Sequence, residues 1–136
     1  MRHCEAMATW ADVDRLAMAM PQATAGDTRR GNRVWRVRDK LFAWERPLRK
    51  GDLEALGEAA PAGDILAVCT PDEGAKLALV ADDPAVYFTT PHFNGYAAVL
   101  IQLDRIDLDE LREVIVESWL TRVTKRMADE YLAGSA

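Results

Sequence analysis

Cysteine is scarce in this 136-residue chain. The two thiols, Cys4 and Cys69, are too few for a disulfide framework. Cys4 lies near the chain end, and Cys69 closes the apolar run Ile65-Leu66-Ala67-Val68-Cys69, which reads as a buried strand, so both are expected as reduced thiols. No apolar run approaches the roughly 20 residues that a membrane helix needs, and Met1-Arg2-His3-Cys4-Glu5 lacks the apolar segment of a secretory signal. The expectation is a cytoplasmic protein with no membrane partner. Repeats, low-complexity tracts and Ser/Gly-rich linkers are absent, which makes residues 1–136 read as one domain. Glycine-rich phosphate loops, paired-cysteine knuckles and nucleophile elbows are absent too. No catalytic residue, metal or cofactor is therefore expected, and an enzyme is the less favoured class.

What is present is an ordinary globular composition, 49% apolar and 29% charged, in a chain of a size that buries its own core unaided. Thr9 with Asp12 three residues later forms a helix start, and Trp10, Val13, Leu16, Ala17 and Met20 follow at helical spacing up to Pro21. Residues 33–38 and 41–46 read as a hairpin around an Asp39-Lys40 turn. That turn pairs Val37 with Phe42 and Trp35 with Trp44, all facing the core, and turns Arg36 and Arg38 outward. A short helix from Asp52 and a strand over 64–69 come next. Thr70-Pro71-Asp72-Glu73 then predicts a helix capped by Thr70 and ending before Asp83-Pro84.

Val86 to Thr90 and Tyr96 to Leu103 predict an antiparallel pair of strands joined by Pro91-His92-Phe93-Asn94-Gly95. A last helix opens with Asp107 and Glu110 as a capping box and runs to about residue 132, with Leu111, Ile115, Trp119 and Val123 on its inner face. The order predicts an α+β two-layer sandwich: a largely antiparallel sheet of about five strands, with the N- and C-terminal helices on one face.

Charge is distributed unevenly. Residues 29–50 hold nine of the seventeen Lys and Arg (Arg29, Arg30, Arg33, Arg36, Arg38, Lys40, Arg46, Arg49 and Lys50) against Asp39 and Glu45, giving +7 there and −12 elsewhere. Cations presented together on a hairpin suit phosphate oxygens, so nucleic acid or another polyanion is the leading partner. The bland alternative is a solvated edge ribbon, charged against strand-to-strand aggregation. The aromatics among these cations read as core rather than as stacking platforms.

Other constellations are weaker. His92, Asn94 and Tyr96 in the loop suggest a small-molecule pocket, enzymatic or not, and a protein-interaction domain is a third possibility. A Cys69–His92 enzyme would need a thiolate-stabilising environment that a buried strand lacks. Asp104, Asp107, Asp109, Glu110, Glu113 and Glu117 admit an iron-binding reading, but they are explained as helix capping and solvated helix surface. Met1-Arg2-His3 places an imidazole third from a free amine, a geometry able to wrap Cu(II) or Ni(II) adventitiously.

Four separated blocks appear in order: Trp10 and Leu16 ahead of Pro21; Val37-Arg38-Asp39-Lys40-Leu41-Phe42; Thr90-Pro91-His92-Phe93-Asn94-Gly95-Tyr96; and Ser118-Trp119 near Lys125. With these the chain resembles the MmcQ/YjbR-like family over almost its whole length. The resemblance implies a CyaY-like fold, the frataxin-type helix–sheet–helix sandwich. It also implies similarity to the double-wing DNA-binding architecture, from which members take a DNA-binding label. That label is an analogy of fold, and fold does not establish function. It brings no catalytic residues. Relatives that read His-Met-Asn-Lys before Trp in the loop carry a basic residue where this chain has Gly95.

Overall fold

The Thr9 hydroxyl accepts from the Asp12 amide at 3.3 Å while the Asp12 carboxylate accepts from the Thr9 amide at 2.9 Å, a complete capping box that opens α1 (Trp10–Met18). Val13 and Ala17 on its inner face are fully buried. The structure, a computed structural model, describes residues 8–61 and 63–134; Cys4 and the Met1-Arg2-His3 amine site lie outside the described residues. Among the described residues no helix is long and apolar enough to cross a membrane.

Among the described residues six strands, β1 (Ala23–Asp27), β2 (Arg33–Val37), β3 (Lys40–Glu45), β4 (Ile65–Cys69), β5 (Tyr87–Phe88) and β6 (Ala98–Gln102), form one antiparallel sheet in the order β1-β2-β3-β4-β6-β5. β5 pairs with β6 as the sequence predicts, Tyr87 opposite Ile101 and Phe88 opposite Leu100. β1 exceeds the sequence expectation of about five strands. Its Ala-Thr-Ala-Gly-Asp has one β-branched residue and no aromatic, and as an edge strand it leaves four of its five residues exposed.

Among the described residues there are five α-helices: α1, α2 (Lys50–Leu56, followed by a 3-10 turn over Gly57–Ala59), α3 (Glu73–Asp82), α4 (Leu108–Leu120) and α5 (Lys125–Gly134). Three local corrections follow. The cap of α3 is Asp72, whose carboxylate accepts from the Ala75 amide at 2.8 Å, and Thr70 instead donates its hydroxyl to the Asp72 carbonyl at 2.9 Å. Glu110 closes no box at α4: Asp107 does accept from the Glu110 amide at 2.8 Å, but the Glu110 carboxylate takes the Tyr87 hydroxyl. The C-terminal helix breaks after Leu120. There the Thr121 hydroxyl donates back to the Ser118 carbonyl at 2.7 Å, Arg122 Nε donates to the Leu41 carbonyl at 3.1 Å, and the Thr124 hydroxyl receives the Met127 amide at 3.2 Å. The break folds Tyr131 back onto Trp119, ring centroids 5.3 Å apart.

The hairpin differs from its predicted register in a way that decides the site. Its two-residue turn is Arg38-Asp39, both at positive φ (54° and 66°), and Val37 pairs with Lys40. Arg36 faces Leu41 and Trp35 faces Ala43, so Phe42 is an extra residue in β3, a bulge. One inserted residue reverses the facing of everything beyond it. Trp35, Val37, Phe42 and Ala43 face the core under α1 and α4 with Leu66, Val68, Val99 and Ile101. Trp44 is thrown to the opposite face, where it packs with Ile65, Ala67, Phe93 and Leu100.

Candidate functional site

Trp44 stands in the wall of a cleft of about 690 Å³ on that second face, built by three segments that meet there. The first is the turn between β1 and β2. The Thr28 hydroxyl accepts from the Asn32 amide at 3.1 Å, and Gly31, at φ +81°, turns the chain and donates to the Thr28 carbonyl at 2.9 Å. Arg29 and Arg30 project from this closed turn into the cleft mouth and are exposed.

The second segment follows β3. Arg46 is 6% exposed, with its guanidinium 3.0 Å from the Asp52 carboxylate, donating to the Pro47 carbonyl and lying 5.3 Å from the centre of the Phe93 ring. Asp52, also buried, accepts from the Arg49 amide at 2.9 Å and so positions the start of α2. Burial opposes ionisation of Asp52, but the Arg49 amide and the Arg46 charge outweigh it and hold its carboxyl below the ordinary range.

The third segment is the loop after β5, where Pro91–Phe93 make a 3-10 turn. Lys76 of α3, 0% exposed, donates to the Phe93 and Tyr96 carbonyls, the latter at 2.9 Å, and pairs with Glu73 at 3.2 Å. Glu73 also receives the Gly95 amide at 3.3 Å. A buried ammonium thus fixes the loop from beneath, directing His92, Phe93 and Tyr96 to the cleft.

Of the nine basic residues singled out in the sequence, Arg29, Arg30, Arg46 and Arg49 line this cleft, with Glu45 the one carboxylate among its lining residues. Glu45 is engaged by Arg33, through the backbone amide at 3.0 Å and the guanidinium at 3.3 Å. Arg33 also lies 5.4 Å over the Trp10 ring. Arg36, between the core-facing Trp35 and Val37, is half-buried on the opposite face and pairs with Leu41. Arg38 and Lys40 sit at the hairpin tip, at the far end of β2 from the Arg29-Arg30 turn, and Lys50 is exposed at the start of α2. The segment's cations are therefore divided between two ends of the sheet. His92 and Tyr96 join the cleft and Asn94 does not, so the cationic and loop sets, read separately in the sequence, share one site.

Trp44, Phe93, Asp52 and Lys76 are cleft residues or supports that sequence reasoning missed. Lys76 carries a faint signal: with Leu79 and Val80 it occupies the helical spacing of an inner face, where a lysine needs a buried acceptor.

Cys69 is not beside His92. It is buried, its thiol reaches the Leu41 carbonyl at 3.6 Å, and it borders a separate groove of about 810 Å³ between α3 and α4 that Asp82, Asp107, Asp109, Glu110, Glu113 and Glu117 rim. Among the described residues no three His, Cys, Asp or Glu side chains gather closely enough to hold a metal ion.

The sequence profile of the YjbR family matches residues 18–121. The chain belongs to the YjbR family. Uncharacterised proteins of Mycobacterium tuberculosis and Mycobacterium bovis are 49% identical to this YjbR-family chain over 132 residues, covering 95% of it and 99% of each relative. The crystal structure of the Deinococcus radiodurans protein DR2400, with a DUF419 domain, shares the fold at 17% identity and a TM-score of 0.64, over 94% of this chain and 91% of that one.

Proposed function

We propose that the chain is a binding module for single-stranded nucleic acid, held in the arginine-lined cleft rather than along the hairpin. The observation that carries this reading is the meeting of Arg29, Arg30 and Arg49 with Trp44 and Tyr96 in one cleft. Phosphates call for clustered cations, and unstacked bases call for ring faces beside them; a duplex keeps its bases stacked and offers no such face. Tyr96, 48% exposed, supplies a ring that leans on Phe93, centroids 6.0 Å apart, and its backbone is already anchored by Lys76. The −12 carried outside residues 29–50 opposes a polyanion at long range, so binding is expected to be weak and confined to this site.

A labelled oligonucleotide titrated at about 50 mM salt tests it. Binding should weaken with a log–log salt slope of about −0.7 per phosphate neutralised, near −2 if the three exposed arginines each engage one. Tyr96→Ala should cost about 1–3 kcal/mol of affinity, the usual worth of one stacked base. Absence of binding at that salt, or indifference to Tyr96→Ala, contradicts the reading.

A further inference from the structure

A smaller cavity of about 240 Å³ opens beside the cleft, lined by Arg46, Arg49, Gly51, Asp52, Pro91 and His92. Arg46, Arg49 and His92 line both, so the two are adjoining compartments with a common wall. Their chemistry differs. Trp44, Phe93 and Tyr96 belong to the cleft alone, whereas the side cavity is formed by two guanidinium-bearing residues, an imidazole and one carboxylate. That carboxylate, Asp52, is already engaged by the Arg46 guanidinium and the Arg49 backbone amide, so it fixes the one cation and the backbone that carries the other. Gly51 contributes no side chain, and a Cβ added there would meet nothing within 4 Å.

We propose that the side cavity receives a terminal phosphate, so that the ligand is a nucleoside phosphomonoester, either a free mononucleotide or the phosphorylated end of a strand. Its base lies against the aromatic wall of the cleft and its phosphate between Arg46 and Arg49. The inference rests on the nucleic-acid reading of the cleft and narrows it. The compartment beside the cleft is small, about 240 Å³, with room for a single phosphate group. A phosphomonoester carries about −1.5 to −2 charges and three terminal oxygens, which suit a compartment lined by two guanidinium-bearing residues and an imidazole better than a diester with one charge. Arg46, fixed by Asp52, the Pro47 carbonyl and the Phe93 ring, has little freedom left to lose on binding.

The test compares oligonucleotides of one sequence carrying a 5′-phosphate, a 3′-phosphate or only hydroxyl ends, together with a nucleoside and its monophosphate, by calorimetry at about 50 mM salt. One phosphorylated end should bind about tenfold or more tightly than the hydroxyl-ended strand. Gly51→Leu, which adds a bulky side chain to the lining of the side cavity, should abolish that preference and leave hydroxyl-ended binding unchanged. Arg49→Ala should shrink the preference if Gly51→Leu fails to fold. A monophosphate as tight as the strand end identifies the free mononucleotide as the ligand, and a much weaker one identifies the strand end. Equal binding of phosphorylated and hydroxyl-ended strands, or a preference that survives Gly51→Leu in a folded protein, overturns the terminal-phosphate site while leaving the cleft reading intact. Failure of every strand and nucleotide to bind overturns both.

Discussion

Trp119→Ala is expected to lower the free energy of unfolding by about 3–5 kcal/mol, the usual cost of truncating a large aromatic in a close-packed core. Trp119 is 0% exposed on α4, donates its indole N–H to the Pro21 carbonyl at 3.1 Å and stacks obliquely on Tyr131 of α5. One side chain thus joins α4, α5 and the entry to β1. Trp119→Phe, which keeps a ring and loses the indole N–H, should fall well short of that cost. Chemical denaturation of the three proteins decides the matter. A loss under about 1 kcal/mol for the alanine variant would contradict the placement of Trp119 at the centre of the core.

Asp52→Ala should cost a similar amount, about 3–5 kcal/mol, for a different reason. Removing one partner of a buried ion pair leaves the other charge buried without compensation, and here it also takes the acceptor from the Arg49 amide. The effect depends on pH with a definite sign. Because the folded-state pKa of Asp52 is depressed, its contribution is fully present above the unfolded value of about 3.9 and is lost as pH falls through the folded value. The stability gap between the native protein and Asp52→Ala should therefore be full at pH 7 and shrink below about pH 4. A gap that stays constant through that acid range would show that the pair does not carry the stability assigned to it.

Much of the fold is legible in the sequence, and the reasons differ by element. The α1 start is readable because Thr9 and Asp12 satisfy each other within four residues, and β4 because five consecutive buried residues leave no other reading. β1 is not, since an exposed edge strand of small residues owes its pairing to β2 rather than to its own composition. The break in the C-terminal helix depends on an arginine reaching the Leu41 carbonyl, 81 residues away in sequence. The site was half legible for one further reason. The basic residues and the His92–Tyr96 loop both stand out in sequence, but what unites them is the bulge at Phe42, which moves Trp44 across the sheet. Strict alternation along β3 cannot foresee an inserted residue.

On this reading the cleft, not the basic character of residues 29–50 as a whole, holds the nucleic acid. Two double variants that remove the same charge from opposite ends of β2 test it: Arg29→Ala with Arg30→Ala in the cleft mouth, and Arg38→Ala with Lys40→Ala at the hairpin tip. All four side chains are exposed, so both proteins should fold. Titrated with one single-stranded oligonucleotide across salt, the cleft variant is expected to make the log–log slope less negative by about 1.4 and to bind much more weakly, while the tip variant follows the unmodified protein. Equal losses in the two variants, or a larger loss at the tip, would contradict the cleft and return the affinity to unspecific attraction by the ribbon.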